Sequence, residues 1–385
     1  MRGVHSIFYA VTSGVSHISP FAICPITQRA EEEPLERINL SSIKKESVRA
    51  IFNAITSKDQ ISRAEIAEIT GLSLMTVGKV ADALLERHVI IQSKEIKNMA
   101  GRRAGLVSLN TDKFFMIIDL TSRNMSMTVM DIALNIVDKI TYEYNGDFYY
   151  EENLYIFMKN VKIYILRKLD MSEAAGVGVV LPGTYIAETD TVESTRVPEL
   201  AQTHVRAIIE DVLRFPVCAL EKDVLTAAAS NLADLEQDDV MSVAYVCIGE
   251  TISGALISDG ELLPGRHRNG KQEYAGDIGR MMTENNDTLG ALFERRGLRE
   301  DTLNELGRAL AYEIALFDPD IVLIENCTGS KMEQYRPYLI NRICRASGFP
   351  EDQLPGIRIL ETGVRHAYRG LAIRMRSAWI QKEVN

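Results

Sequence analysis

The sequence predicts an α/β chain with a winged helix-turn-helix at the front, over residues 36–112, and an α/β body over residues 113–385. Three observations predict it. Two short amphipathic segments flank a tight glycine turn, with helix-capping residues on both sides. Two short apolar runs then flank a basic tip that glycines bound. Beyond residue 113, strand-like apolar runs are joined by a helical run that a proline stops.

Composition narrows the class. The chain has 385 residues, room for two or three domains. Apolar residues make up 46% and charged residues 25%, the balance of a globular protein, which excludes a largely disordered chain. Cys24, Cys218, Cys247, Cys327 and Cys344 are scattered, with no C-x-x-C pair. That spacing speaks against a disulfide framework and a cysteine zinc site, and fits a reducing cytoplasm. No segment approaches the ~18 consecutive apolar residues of a membrane span. The net charge of −10 is uneven: residues 34–112 carry +3 and residues 113–385 carry −12. The front segment is therefore the candidate polyanion binder.

Residues 1–35 read as a disordered extension or an early start. Gly3 to Gln28 is uncharged, and its longest apolar run, Ile7 to Val11, is too short for the core of an export signal. Val48, Ile51, Phe52 and Ile55 then make one apolar stripe of a first helix. Ser62 followed by Glu65 is a capping box that starts a second helix, and Gly71 after Thr70 ends it. Ser73 caps a third helix, whose Val77, Val80, Ala81 and Leu84 face inward. Leu74, Met75, Thr76, Lys79 and Asp82 project the other way.

In a helix-turn-helix the first residues of the second helix enter the major groove. Ser73, Met75, Thr76 and Lys79 are the candidate DNA contacts there. Lysine suits a phosphate or a guanine edge, and threonine a phosphate or a thymine methyl. An ordinary solvated surface is the other reading of each residue alone. Val89 to Gln92 and Leu106 to Leu109 read as strands bounding a wing. At its tip Gly101 and Gly105 flank Arg102 and Arg103, a pair suited to a narrow minor groove or to plain solvation.

These front segments (Ser62 to Ala67, Thr70 to Ser73, Thr76-Val77, Leu84 to Glu86 and Gly101-Arg102-Arg103) resemble the DNA-binding half of ROK-family repressors. That family joins sugar-responsive repressors, including xylose repressors, with sugar kinases. The resemblance implies a two-lobed body of the actin-like ATPase, ribonuclease H-like fold. Phe114 to Leu120, Met125 to Met130 with Asp131, and Ile136 to Ile140 match its opening β-meander, and Gly176 to Gly183 its sugar-domain strand and loop.

Against the kinase pattern, this body looks stripped. The turn after Asp119 reads Leu-Thr-Ser-Arg-Asn, without the glycines that let backbone N–H groups approach phosphate. The segment Ile248 to Ala255 keeps only Gly249 and Gly254 of the family's five glycines and carries Glu250. Glu325-Asn326-Cys327 stands where the adenine-side glycines are expected. Neither ATP nor any other cofactor is expected, and no catalytic residue.

Asp223 matches the aspartate that is the proton acceptor in the kinases and a sugar contact in the repressors; Lys222 replaces the neighbouring asparagine. Gly276 to Arg280 matches the ligand-and-zinc segment, with Asp277 and Arg280 in place of glutamate and histidine. Its cysteines are missing, so no metal is expected there. Arg280 binds an acidic ligand or pairs with Asp277 or Glu273. Lys222, Asp223, Asp277 and Arg280 are the candidate ligand contacts.

The resemblance implies a cytoplasmic dimeric repressor of carbohydrate-utilisation genes that binds operator DNA and a sugar or acidic sugar derivative. The alternatives are a sugar kinase with an added DNA-binding head, and a dimeric DNA-binding protein without an effector.

Overall fold

The structure, a computed structural model, describes residues 40–93, 105–194, 196–223, 225–228, 230, 242–249, 252–258, 261–263, 275–276, 278–283, 287–327, 331–360 and 367–384. Contacts divide the chain into Met1–Lys44 and Lys45–Asn385, and of the first unit only the opening residues of one helix are described.

The front of the chain holds three helices, α1 (Leu40–Thr56), α2 (Arg63–Thr70) and α3 (Leu74–Glu86). A small antiparallel sheet of β1 (Ile61–Ser62), β2 (Ile90–Gln92) and β3 (Leu106–Leu109) closes it, in the order β1-β3-β2. The stripe expected on α1 is buried, as are Val77, Val80, Ala81 and Leu84 of α3. The sequence pattern does not anticipate β1. It is two residues long and exists through its partners, Ile61 opposite Val107 and Ser62 opposite Leu106.

The first sheet of the body has the order β10-β7-β4-β5-β6. It comprises β4 (Phe114–Asp119), β5 (Met125–Asp131), β6 (Ile136–Tyr142), β7 (Ala174–Leu181) and β10 (Val217–Lys222). A hairpin of β8 (Thr184–Ile186) and β9 (Thr191–Glu193) lies between the last two in sequence. Side chains alternate across the sheet. Phe114, Met116 and Ile118 of β4 pack with α4 (Tyr150–Lys168) and α5 (Val205–Leu213), whereas Phe115 and Ile117 face the opposite cluster.

The second sheet has the order β13-β12-β11-β15-β16, with β14 (Ala275–Gly276) paired to β12. Its strands are β11 (Ser242–Ile248), β12 (Ile252–Ser258), β13 (Glu261–Leu262), β15 (Ile321–Asn326) and β16 (Gly356–Leu360). On one face Ala244, Val246 and Ile248 meet α6 (Leu289–Arg296), α7 (Glu300–Phe317) and α8 (Arg336–Ser347). On the other, Val243, Tyr245 and Cys247 join Ala227, Ala228, Ile321 and Leu323.

The helix α9 (Ala367–Val384) binds the parts together. One apolar cluster runs from α1, α2 and α3 through Leu371, Ala372, Met375 and Ile380 of α9 to Phe115 and Ile117 of β4. Trp379 meets Phe115 edge-on, with ring centroids 6.0 Å apart. The Arg376 guanidinium lies 5.3 Å from the Phe52 ring centre and donates to the Ile132 carbonyl at 3.0 Å. A cavity of about 100 Å³ lies between α1 and α9, lined by Val48, Phe52, Arg376 and Ile380 among others. Backbone closeness explains Gly370: a Cβ there would sit 1.6 Å from the Thr226 carbonyl oxygen.

Burial pushes Glu313 of α7 up to about 7, from an ordinary value of 4.5. The unfolded chain then releases this proton at lower pH than the folded chain, so stability falls as pH rises from about 4.5 to about 7. The Glu313→Gln variant is expected to outlast the parent in denaturant at pH 8 by roughly 1–3 kcal/mol and to match it near pH 4.5. Equal midpoints at both pH values would contradict this assignment.

Candidate functional site

Local hydrogen bonds fix the turn between α2 and α3. The Ser62 hydroxyl accepts from the Glu65 amide at 3.2 Å, and the Ser62 amide donates to the Glu65 carboxylate at 2.9 Å. The bond from the Ser62 backbone is the main cause holding the Glu65 carboxyl below its ordinary value. Gly71 follows at φ +68°, the left-handed conformation that closes a helix and favours glycine. The Ser73 hydroxyl then accepts from the Thr76 amide at 3.1 Å and caps α3.

The cap places four of the candidate DNA contacts together on the first turns of α3. Ser73, Met75 and Lys79 are exposed or partly so, and Thr76 is half-buried. Met75 is 73% exposed and Leu74 62%, a large apolar outlay for a surface turn. The hydroxyls of Ser73 and Thr76 lie 2.9 Å apart, so the cap also orients the threonine. Sequence reasoning missed Arg63, which pairs with Asp82 at 2.6 Å. The pair joins α2 to α3 and offsets the Asp82 carboxylate. Nineteen residues separate the two, and nothing local announces them. Arg102 and Arg103 lie outside the described residues.

A second constellation lies where β10 ends. Asp223 is 1% exposed, and its carboxylate forms an ion pair with Arg196. The same guanidinium nitrogen donates to the Pro182 carbonyl at 3.1 Å. The Ser194 hydroxyl accepts from the Arg196 and Val197 amides, each at 3.2 Å, and fixes the loop that delivers the arginine. Arg196 thus ties Asp223 to the Pro182-Gly183 loop. At Gly183 a Cβ would stand 1.9 Å from the Glu193 carbonyl oxygen, so the loop tolerates only glycine. Arg196 is the second residue that sequence reasoning missed, because its partner is 27 positions away. Lys222 is half-buried beside this pair, and Glu221 pairs with Arg374 of α9 at 2.6 Å. Asp277 lies outside the described residues, and of Arg280 only the backbone is described, at the end of a short 3₁₀ turn.

The glycine-poor segments have definite local roles. Asp119 accepts from the Thr121 amide at 2.9 Å and from its hydroxyl at 2.7 Å, a closed Asx turn. On β15, Glu325 is fully buried and accepts a hydrogen bond from the Tyr245 hydroxyl. Parallel pairing sets Cys247 of β11 opposite Glu325, and the Cys327 sulfur lies 3.9 Å from that of Cys247. Spacing along the chain hides this trio, since eighty residues separate the two cysteines. Glu250 lies outside the described residues. The segment Thr283 to Leu298 is held by packing where it is described: Leu289 and Phe293 are buried, and Asp287 pairs with Arg295.

No family model matches the chain. A protein of Caldicellulosiruptor sp. strain Rt8B.4 described as a candidate xylose repressor is 22% identical over 265 residues, covering 65% of this chain and 62% of that protein. The DNA-binding transcriptional dual regulator NagC of Escherichia coli K12 is 24% identical over 254 residues, 64% of this chain and 59% of the regulator. The chain thus spans about three fifths of the curated relatives it matches. Among solved structures, a ROK-family transcriptional regulator, a homolog of the E. coli MLC protein, superposes with a TM-score of 0.63 at 16% identity, over 89% of this chain and 99% of that one. The ROK hexokinase of Thermus thermophilus gives 0.51 at 18% identity, over 68% and 97%. The chain is thus similar in sequence to these two regulators and in fold to a ROK-family regulator and a ROK hexokinase.

Proposed function

We propose that this chain is a sequence-specific DNA-binding transcriptional regulator, a repressor of carbohydrate-utilisation genes. Its front end acts as a winged helix-turn-helix. Its body senses a sugar or sugar derivative and does no phosphoryl transfer. The observation that carries the reading is the capped start of α3, which presents Ser73, Met75, Thr76 and Lys79 while Val77, Val80 and Leu84 anchor the helix. Such a helix offers a rigid edge to a groove, and rigidity is what base reading requires. Arg102 and Arg103, on the segment joining β2 to β3, would reach the adjacent minor groove.

The chemistry at Asp223 supports a sensor over a kinase. A general base has to reach the sugar hydroxyl and accept its proton. Here the carboxylate is engaged by a guanidinium, and phosphate-cradling glycines are missing from three segments of the sequence. Arg196 beside Asp223, with Lys222 next to it in the chain, is the chemistry that favours an acidic or phosphorylated effector.

The helix α9 supplies the coupling. Arg374 holds Glu221 beside the Asp223 site, and two residues on Arg376 covers Phe52 of α1. An effector that prefers one setting of α9 would bias the DNA-reading helices and, in a symmetric dimer, the spacing of the two reading heads. Regulation of this kind places the protein in the cytoplasm with duplex DNA as its macromolecular partner.

The test is an electrophoretic shift of the DNA upstream of its own gene, repeated with sugars, sugar phosphates and uronic acids. A specific shift that one class of compound relieves is expected. The kinase reading predicts instead ADP release over a sugar panel, abolished by Asp223→Asn. Turnover of that kind would replace the present reading.

A further inference from the structure

We propose that Cys247, Glu325 and Cys327 form a binding site for one thiophilic divalent cation of the zinc class. The three ligand atoms lie within 4.8 Å of one another, and the two sulfurs are 3.9 Å apart. Tetrahedral zinc with Zn–S bonds of about 2.3 Å places two thiolates about 3.8 Å apart. The observed separation therefore needs almost no adjustment to receive the ion. It is far longer than the ~2.05 Å of a disulfide.

The surroundings are those of a built site. Cys247 and Glu325 are fully buried, and Cys327 is half-buried. Cys247 belongs to the apolar layer of Tyr245, Ile321 and Leu323, and Cys327 packs against that layer. The Tyr245 hydroxyl donates to the Glu325 carboxylate, as outer partners of metal ligands do when they fix a ligand's direction. Two sulfurs with one carboxylate suit zinc, and they disfavour magnesium and calcium, which take oxygen donors. Three protein donors leave the fourth position of the tetrahedron for water or a ligand atom.

This site differs from the zinc segment of the family pattern, which would fall at Gly276 to Arg280 and has lost its thiolates here. Two of the three donors belong to Glu325-Asn326-Cys327, the stretch that replaces the expected adenine-side glycines. Metal uptake there does not depend on DNA binding, so the two proposals stand or fall separately.

The test uses the full chain, stripped with chelator, kept reduced and titrated with cobalt(II). A thiolate-to-cobalt charge-transfer band in the near ultraviolet is expected, saturating at about one equivalent and bleached by zinc. The Cys24→Ser/Cys218→Ser/Cys344→Ser triple variant is expected to bind as the parent does. Cys247→Ser and Cys327→Ser should each weaken the band, and Glu325→Gln should lower affinity about tenfold or more. Absence of the band in both the parent and the triple variant would overturn the proposal. So would a band that survives replacement of Cys247 and Cys327 together, or a peptide map of the reduced-then-purified chain in which these two are joined as a disulfide.

Discussion

Arg196→Ala is expected to cost about 3–5 kcal/mol of stability, the range for removing one partner of a buried ion pair. Asp223 is 1% exposed and the Arg196 side chain 13%, so the carboxylate left behind would be poorly solvated. The loss would also release the Pro182 carbonyl from its bond and loosen the Ser194–Val197 loop. Denaturant unfolding of the full chain measures it. The Arg196→Ala/Asp223→Ala double variant is expected to recover part of the loss, because the orphaned charge has gone. A loss below about 1 kcal/mol in the single variant would mean the pair is solvated and weak, as exposed pairs are.

Replacing Thr76 and Lys79 together with alanine is expected to weaken specific DNA binding roughly 10- to 100-fold, with the fold intact. Both residues lie on the capped first turns of α3, and neither belongs to the buried stripe. Their contributions should separate. A phosphate contact from Lys79 would weaken binding to all sequences alike and flatten the salt dependence by about one unit of slope. A base contact from Thr76 would instead relax discrimination at one position of the site. Ser73→Ala is a poorer probe, since it also removes the cap that its hydroxyl supplies to the Thr76 amide, worth about 1 kcal/mol. Anisotropy titrations at several salt concentrations, with a circular dichroism check of folding, read all of these effects. Unchanged affinity in the double alanine variant would exclude α3 as the reading helix.

Legibility in the sequence tracks interaction range. The capping box of Ser62 and Glu65, the Gly71 stop, the Ser73 cap and the stripes of α1 and α3 all depend on residues within a few positions of each other, and each is readable. The strands β4 and β5 are readable for the same reason, as nearly continuous apolar runs joined by a short turn. The helix α4 escapes notice although Leu154, Phe157, Met158, Val161 and Ile165 repeat at three and four, because its exposed face is also rich in Tyr and Ile and blurs the stripe.

Parallel pairing assembles the features that stay hidden. The strands β11 and β15 are neighbours in space but far apart in the chain, so Cys247 and Glu325 give no joint signal. Arg196 reads as an ordinary loop residue until the end of β10 puts Asp223 beside it. The boundary at residue 112 rests on a change of pattern. In the folded chain the apolar cluster continues across that point through α9, whose late place in the sequence conceals its contact with the first three helices.

The most direct measurement of the central proposal is selection of genomic DNA fragments by the purified full chain, followed by footprinting on the recovered sites. The proposal predicts a small set of discrete, protected sites that share a motif, among them one near a carbohydrate gene, and their loss with Thr76→Ala/Lys79→Ala. Recovery of fragments no different from the input DNA, with equal retention by parent and variant, would contradict it.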